Sequence, residues 1–267
     1  MNSNNPYDEF TFSIENKEYV IKEKSEQTKN KTKNNFLNGP SLGIGGVITA
    51  VCVLAIFSVL NLDSDFEEPL VEKQLIKEPQ YDLSPNVLLK NTSPVLGNPN
   101  APITLVEFGD YQCHFCNVHF HNTEHKILEK YVATGIVKIL FKDYTIIGPD
   151  SISAAHAAHC AGDQDKYWEY HGMLYSNWSG ENNGWASSEN LYQFAFNISL
   201  DLNLFEACMV SERHISTIQK SNADAQTLGI TGTPAFFVIG DDNVVEKISG
   251  AQPFETFEGV FNHILEK

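Results

Sequence analysis

Two cysteines, Cys113 and Cys116, are separated by His114 and Phe115 and follow closely on an apolar run from Ile103 to Phe108. Far downstream the chain reads Thr231-Gly232-Thr233-Pro234, just before a second strand-like run, Ala235 to Ile239. The C-x-x-C spacing serves zinc, haem attachment and redox sulfurs, so context decides among them. No second C-x-x-C follows to complete a tetrahedral zinc site, and Asn117 rather than His follows Cys116, which removes the haem-attachment pattern. The context favours thiol redox chemistry.

The elements that must position these residues are legible from periodicity. Ile103 to Phe108 reads as a buried strand. Phe120, Ile127, Leu128, Tyr131 and Val132 recur on one face at a period of 3.6, which predicts a helix after Cys113. Ile136 to Phe141 is the next strand. Ser151 to about Leu228 is helical in character, with segments at His156 to Ala161, Lys166 to Tyr175, Asn190 to Phe196 and Leu202 to Met209, and a Gly-rich break at Ser179 to Gly184. Strands return at Ala235 to Ile239 and Val244 to Ile248, and a last helix runs from about Phe254 to Leu265. The order is a β-α-β unit, a helical block, a β-hairpin and a closing helix. A right-handed crossover makes the first two strands parallel.

In this arrangement Cys113 falls at the exposed N-terminus of a helix, where unpaired N–H groups and the helix dipole favour its thiolate. That makes it the candidate nucleophile. Cys116 lies one turn further in, close enough to attack a mixed disulfide at Cys113, and burial keeps its proton on. It is the candidate resolving thiol. Glu107 is an acid inside an otherwise apolar strand, and Lys142 ends the next one. An isolated charge at such a position is ordinarily solvated; Lys142 is also a candidate for modulating the cysteine pocket by its charge.

The rest of the chain says where this chemistry takes place. Residues 1–41 are polar, with too few apolar groups to offset the entropy of ordering, and read as a disordered cytoplasmic tail. Leu42 to Leu60 is uncharged and reaches roughly the thickness of a hydrocarbon core, so residues 42–62 are expected to form a transmembrane anchor. Lys29, Lys31 and Lys33 precede it, and Asp63, Asp65, Glu67 and Glu68 follow. The positive-inside rule then puts the N-terminus in the cytoplasm and the C-terminal part outside. A cleaved signal peptide fits less well, because the polar lead is long and no small-residue cleavage site follows. Residues 63–92, with Pro69, Pro79 and Pro85, read as an extracytoplasmic linker, and residues 93–267 as one folded domain. The tail is neutral, so the net charge of −16 is carried after the span. Such a surface argues against nucleic acid, whose phosphates need a basic patch.

Three separated segments together resemble the DsbA family of thioredoxin-fold thiol-disulfide oxidoreductases. They are Glu107 to Cys116 (EFGDYQCHFC), Ala158 to Leu174 (AHCAGDQDKYWEYHGML), and Gly229 to Phe237 (GITGTPAFF) with Gly250-Ala251-Gln252-Pro253. The resemblance implies an α/β thioredoxin fold with a helical domain inserted at about 151–228. It also implies a cis Thr233-Pro234 loop that faces the cysteines and pairs with a bound polypeptide. Glu107 matches the family's buried acid, which exchanges a proton with the second cysteine. His114 and Phe115 stand where Pro is common at the first position. With Thr233 and Pro234 they are the candidate substrate contacts. Cys160 and Cys208 lie where some members carry a structural disulfide, and two leftover cysteines outside the cytoplasm more often pair than stay free. A bond there would contribute about 2 to 4 kcal/mol.

The resemblance implies exported Cys-containing polypeptides as substrates, a quinone-linked membrane redox partner, and no cofactor. No dimerisation segment is evident, so a monomeric dithiol oxidase is expected rather than an isomerase. A reductase of the same fold carries the same residues. Two rivals come from other classes. His114, His121 and His125, with His119 nearby, are candidate ligands for a copper or zinc carrier. A noncatalytic module would use the proline loop to hold unfolded chains.

Overall fold

The computed structural model describes residues 85–267, and the expected tail, membrane span and most of the linker lie outside the described residues. Among the described residues no helix is long and apolar enough to cross a membrane. A short helix, α1 (Pro85–Leu89), packs Leu88 into the domain, so the folded unit reaches back before residue 93.

Strand β1 (Ile103–Gly109) is buried along its whole length because it is covered on both faces and paired on both edges. This is why its sequence reads as a near-continuous apolar run rather than an alternating one. It pairs in parallel with β2 (Val137–Asp143) and antiparallel with β3 (Ala235–Ile239), which pairs antiparallel with β4 (Val245–Ser249). The sheet order is β2-β1-β3-β4. The register puts Glu107 beside Phe141 and Phe236, and Phe108 beside Lys142 and Ala235. Successive side chains point to opposite faces, so Glu107 and Lys142 lie on opposite sides of the sheet.

The face carrying Leu105, Phe141, Phe236 and Val238 packs with the cysteine-bearing helix and with the closing helix α9 (Phe254–Leu265), through Phe120, Phe257 and Phe261. The other face carries Val106, Phe108, Leu140 and Phe237 against Leu88, Ala225 and Leu228. Lys142 sits in this second layer, and this corrects both readings of it. Its ammonium is fully buried, 2.8 Å from Asp224, donating also to the carbonyls of Val87 and Lys90, and lies over the Phe108 ring. It is neither solvated nor near the cysteines.

The element after Cys113 departs from the regular helix that the 3.6 period predicts. It runs as α2 (His114–His119), a π turn (Phe120–Glu124), α3 (His125–Ile127) and a second π turn (Leu128–Val132). Residues 119 and 124 would lie roughly 140° apart around an ordinary α-helix. The wider i→i+5 turn brings both inward, and both are buried.

The helical insertion consists of α4 (Pro149–Gly162), α5 (Tyr167–Ser176), α6 (Ser188–Asn197) and α7 (Leu202–Val210), and α8 (Ile215–Thr227) leads back to β3. The buried alanines 154, 155, 157, 158 and 161 of α4 have little side chain to bury, which lets the neighbouring helices approach closely. Ser187 and Asp201 cap α6 and α7 by accepting from backbone N–H groups of their first turns. Cys160 of α4 and Cys208 of α7 are joined in a disulfide spanning 48 residues, with both sulfurs in the core. Replacing both cysteines with alanine is expected to lower the unfolding free energy by about 2 to 4 kcal/mol, read from denaturant curves. An unchanged midpoint would mean that helix packing alone holds the insertion together.

Candidate active site

The site lies at the C-terminal end of β1, where the chain leaves the sheet and enters α2. Asp110, the first residue after the strand, is buried and accepts at one oxygen from the Gln112 N–H (2.9 Å) and at the other from the N–H groups of Ile146 and Ile147 (2.8 and 3.0 Å). Burial raises its pKa while these donors oppose the rise. Its carboxyl is therefore committed to tying the loop after β2 to the loop before α2. Gln112 does the same for the insertion. It donates to Ser151 Oγ (3.1 Å), its side-chain oxygen accepts from Asn182 N–H (2.8 Å), and its carbonyl accepts from the Trp178 indole (2.9 Å).

Cys113 is the N-cap of α2, and its backbone N–H donates to the Asp110 carbonyl (2.9 Å). The residue is 4 % exposed, more enclosed than a bare helix N-terminus implies, and the Thr233 carbonyl lies 3.3 Å from its sulfur across the site. The Thr233–Pro234 peptide is cis, and the Pro234 carbonyl accepts from Gly250 N–H (2.9 Å), fastening the loop to the end of β4. Cys116 is wholly buried one turn below, and both sulfurs are free thiols.

The two sulfurs differ sharply in acidity. A hydrogen bond from Cys116, with help from the N–H groups of Phe115 and Cys116, pulls the Cys113 pKa down to about 6 against the opposing effect of burial. Burial pushes Cys116 well above the ordinary thiol value, and the hydrogen bond and charge of Cys113 and the charge of Glu107 add to this. One thiolate at the surface end and one retained proton beneath it are what nucleophilic attack followed by internal resolution requires.

Glu107 is 4 % exposed on the sheet face beneath the cysteines, and burial first, then the charge of Glu124, raises its pKa well above the carboxylate range. A carboxylate oxygen of Glu107, one of Glu124 and a ring nitrogen of His119 all lie within 4.8 Å of one another. His119 packs on Phe236 and Phe257, and burial lowers its pKa to about 4, which keeps the ring neutral. His171 of α5 stands 3.9 Å from Glu124 and is bonded through Nδ1 to the Tyr111 hydroxyl (3.0 Å).

Of the expected site residues, the structure brings together Cys113, Cys116, Glu107, Thr233 and Pro234. Phe115 is 60 % exposed beside the cysteines, and His114 is exposed with its ring against Trp178. The N–H of His114 donates to the Glu181 carboxylate (3.1 Å). The proposed ligands His114, His121 and His125 are all exposed and, among the described residues, none belongs to a close group of three metal-ligand side chains. Glu124, His171 and Gln112 were not foreseen, and His119 is expected only as a neighbour of the candidate metal ligands, not as a partner of Glu107. The pairing of His119 with Glu124 carries no local signal, since no helical-face rule pairs residues five apart.

A family model described as "Thioredoxin" matches residues 89–260. Disulfide bond formation protein D of Bacillus subtilis is 28% identical over 159 residues, 58% of this chain and 71% of that protein. A protein of Bacillus anthracis titled "Probable disulfide bond formation protein D" is 28% identical over 155 residues, 57% of this chain and 71% of that one. The crystal structure of oxidised BdbD from Bacillus subtilis matches with a TM-score of 0.60 at 25% identity, covering 66% of this chain and 94% of that one. The chain belongs to the DsbA family of the thioredoxin superfamily, and it is a protein thiol-disulfide oxidoreductase.

The acidity of Cys113 has a direct readout. Iodoacetamide labelling of the reduced chain, mapped by mass spectrometry, is expected to modify Cys113 with a midpoint at about pH 6 while Cys116 stays unlabelled until the domain unfolds. A midpoint near the ordinary cysteine value would refute the proposed hydrogen-bond stabilisation. The folded pKa lies below the unfolded one, so ionisation stabilises the reduced fold fully above the unfolded value. That contribution is lost as pH falls through about 6.

Proposed function

We propose that this protein is a dithiol oxidase that forms disulfides in exported polypeptides through the Cys113–Cys116 pair. The observation that carries the reading is the lowered Cys113 pKa, because a stabilised thiolate favours the reduced pair and so makes its disulfide oxidising. The names of the Bacillus relatives, disulfide bond formation proteins, agree with that direction.

A substrate thiolate attacks Cys113 of the oxidised pair, and Cys116 departs as the leaving sulfur. A second substrate thiolate then displaces Cys113. The substrate gains a disulfide and the enzyme is left with two thiols. Glu107 supplies the proton that the departing Cys116 sulfur takes up. Thr233 and Pro234 hold the substrate backbone, and exposed His114 and Phe115 contact its side chains. No cofactor beyond the two sulfurs takes part, and a membrane redox partner reoxidises the pair.

Anchoring by residues 42–62, with the catalytic domain that follows outside the cell, would keep the enzyme near that partner and raise its local concentration. A reductase or isomerase of the same fold is the second reading, since the same residues serve it. The exposed, separated placement of His114, His121 and His125 gives no support to a metal carrier. The free, unequal thiols weigh against a noncatalytic module.

Equilibrating the full chain against graded glutathione buffers and counting trapped thiols at Cys113 and Cys116 gives the reduction potential. A value well above the glutathione poise is expected, whereas one near about −270 mV would make the protein a reductase. Protease protection in intact cells tests the topology. The catalytic domain is expected to be digested from outside and the N-terminal tail to be protected, and the reverse pattern would remove the anchor orientation.

A further inference from the structure

The loop between α5 and α6 carries a carboxylate to the edge of the reactive sulfur. One oxygen of Glu181 accepts from the N–H of His114 (3.1 Å), the residue that follows Cys113. Covalent geometry puts that nitrogen about 2.4 Å from the Cys113 Cα, so the oxygen lies within about 5.5 Å of the same Cα. The residues around Glu181 hold it there. Asn182 donates through its backbone N–H to the Gln112 side chain (2.8 Å) and through its amide to the Ile147 carbonyl (3.3 Å). Asn183 donates back to the Ser179 carbonyl (2.8 Å), and the Trp178 indole donates to the Gln112 carbonyl (2.9 Å). Asp110 on the same edge is buried and accepts from three backbone N–H groups, whereas Glu181 is exposed. Its charge is therefore fixed in place and open to an incoming chain.

A polypeptide under reaction passes through a mixed disulfide with Cys113, which sets its cysteine Cα about 4.4 to 6.8 Å from that of Cys113. The next residue on either side begins about 3.8 Å further along the chain. A Lys or Arg side chain there extends roughly 6 Å on its flexible stem and reaches the Glu181 carboxylate. We propose that Glu181 forms a subsite for a basic side chain next to the substrate cysteine, so that the protein reacts faster with thiols flanked by Lys or Arg than with thiols flanked by Asp or Glu. This rests on the reading that Cys113 exchanges disulfides with polypeptides. The substrate thiolate attacks the Cys113 sulfur, a new S–S bond forms as the Cys113–Cys116 bond breaks, and the electron pair leaves on Cys116, which takes up a proton. A second substrate thiolate then displaces Cys113, so the substrate is oxidised by two electrons and the pair reduced by two. The flanking cation offsets the repulsion between the incoming thiolate and Glu181.

The test takes the full chain with the Cys113–Cys116 disulfide formed and three dithiol peptides that differ only in the residue before each cysteine: Lys, Gln or Glu. Each second-order rate constant of oxidation is divided by that of the same peptide with hydroxyethyl disulfide, a neutral reagent, which removes the effect of the flanking charge on the thiol itself. The Lys peptide is expected to react about two- to fivefold faster than the Gln peptide, and the Glu peptide to be slower by a similar factor. Salt at about 0.5 M should shrink both differences. Glu181→Gln should cut the Lys-to-Glu ratio by about threefold or more, and Glu181→Lys should lower it further. The field of the whole chain, with its net charge of −16, survives in Glu181→Gln, so the part of the ratio lost there belongs to the subsite. Should Glu181→Gln fail to fold, Glu181→Ala removes the same charge and carries the same expectation.

Equal corrected rates for the three peptides with the native chain overturn the proposal and leave the oxidase reading standing. A Lys-to-Glu ratio that persists undiminished in Glu181→Gln also overturns it, because the net charge of the chain would then be its source. If no peptide is oxidised, the oxidase reading fails. The reduced chain is then set against the same peptides in disulfide form, where Cys113 forms the same mixed disulfide, and the ratio and its loss in Glu181→Gln decide the subsite.

Discussion

The structure depends on an inequality between two sulfurs one helical turn apart. Peptide N–H groups and the second thiol surround Cys113, whereas Cys116 is closed in by the sheet, the aromatic core and a buried acid. Both sulfurs are one chemical group, so only their surroundings can separate their proton affinities. Each major element of the fold contributes to that separation. The central strand brings Glu107 beneath the helix, the loop from Asp110 to Gln112 sets where the helix begins, and the Thr233–Pro234 turn roofs the outer sulfur.

The domain buries charge in contrasting ways. Lys142 meets a carboxylate and two backbone carbonyls, and Asp110 meets three backbone N–H groups. Such groups are satisfied, and their work is to hold loops and layers together. Glu107 is different, because burial in an apolar chamber and the nearby Glu124 raise its proton affinity well above that of an ordinary carboxylate. A buried acid with a strongly shifted proton affinity tends to mark a place where protons move.

The helical insertion does more than cover one end of the sheet. Gln112 and Trp178 tie it directly to the loop that presents Cys113, and Glu181 meets the first turn of α2. His171 reaches back from α5 to Glu124, one of the acids under the sulfurs. The Cys160–Cys208 bond fixes two of its helices to each other. The surface on one side of the cysteines and the chamber beneath them are thus both partly built by the insertion. Phe115 is left exposed beside the reactive sulfur, an apolar contact available to a polypeptide.

Much of this was legible in the chain. The four strands, the buried character of β1, the helical block and the closing helix follow from local periodicity, and the C-x-x-C and Thr-Gly-Thr-Pro motifs are contiguous, so their chemistry is written in neighbouring residues. Resemblance supplied what spacing could not, the meeting of Cys113 with Thr233 across 120 positions. The tertiary structure decided the rest. Whether Lys142 or Glu107 faces the sulfurs depends on strand register, because neighbouring positions of a sheet point to opposite sides. The gathering of His119 and Glu124 depends on a π turn, stabilised by packing rather than by any local pattern. Sequence determined which groups this protein has for its chemistry; only the folded layers determined which of them lose their water, and with it their ordinary proton affinity.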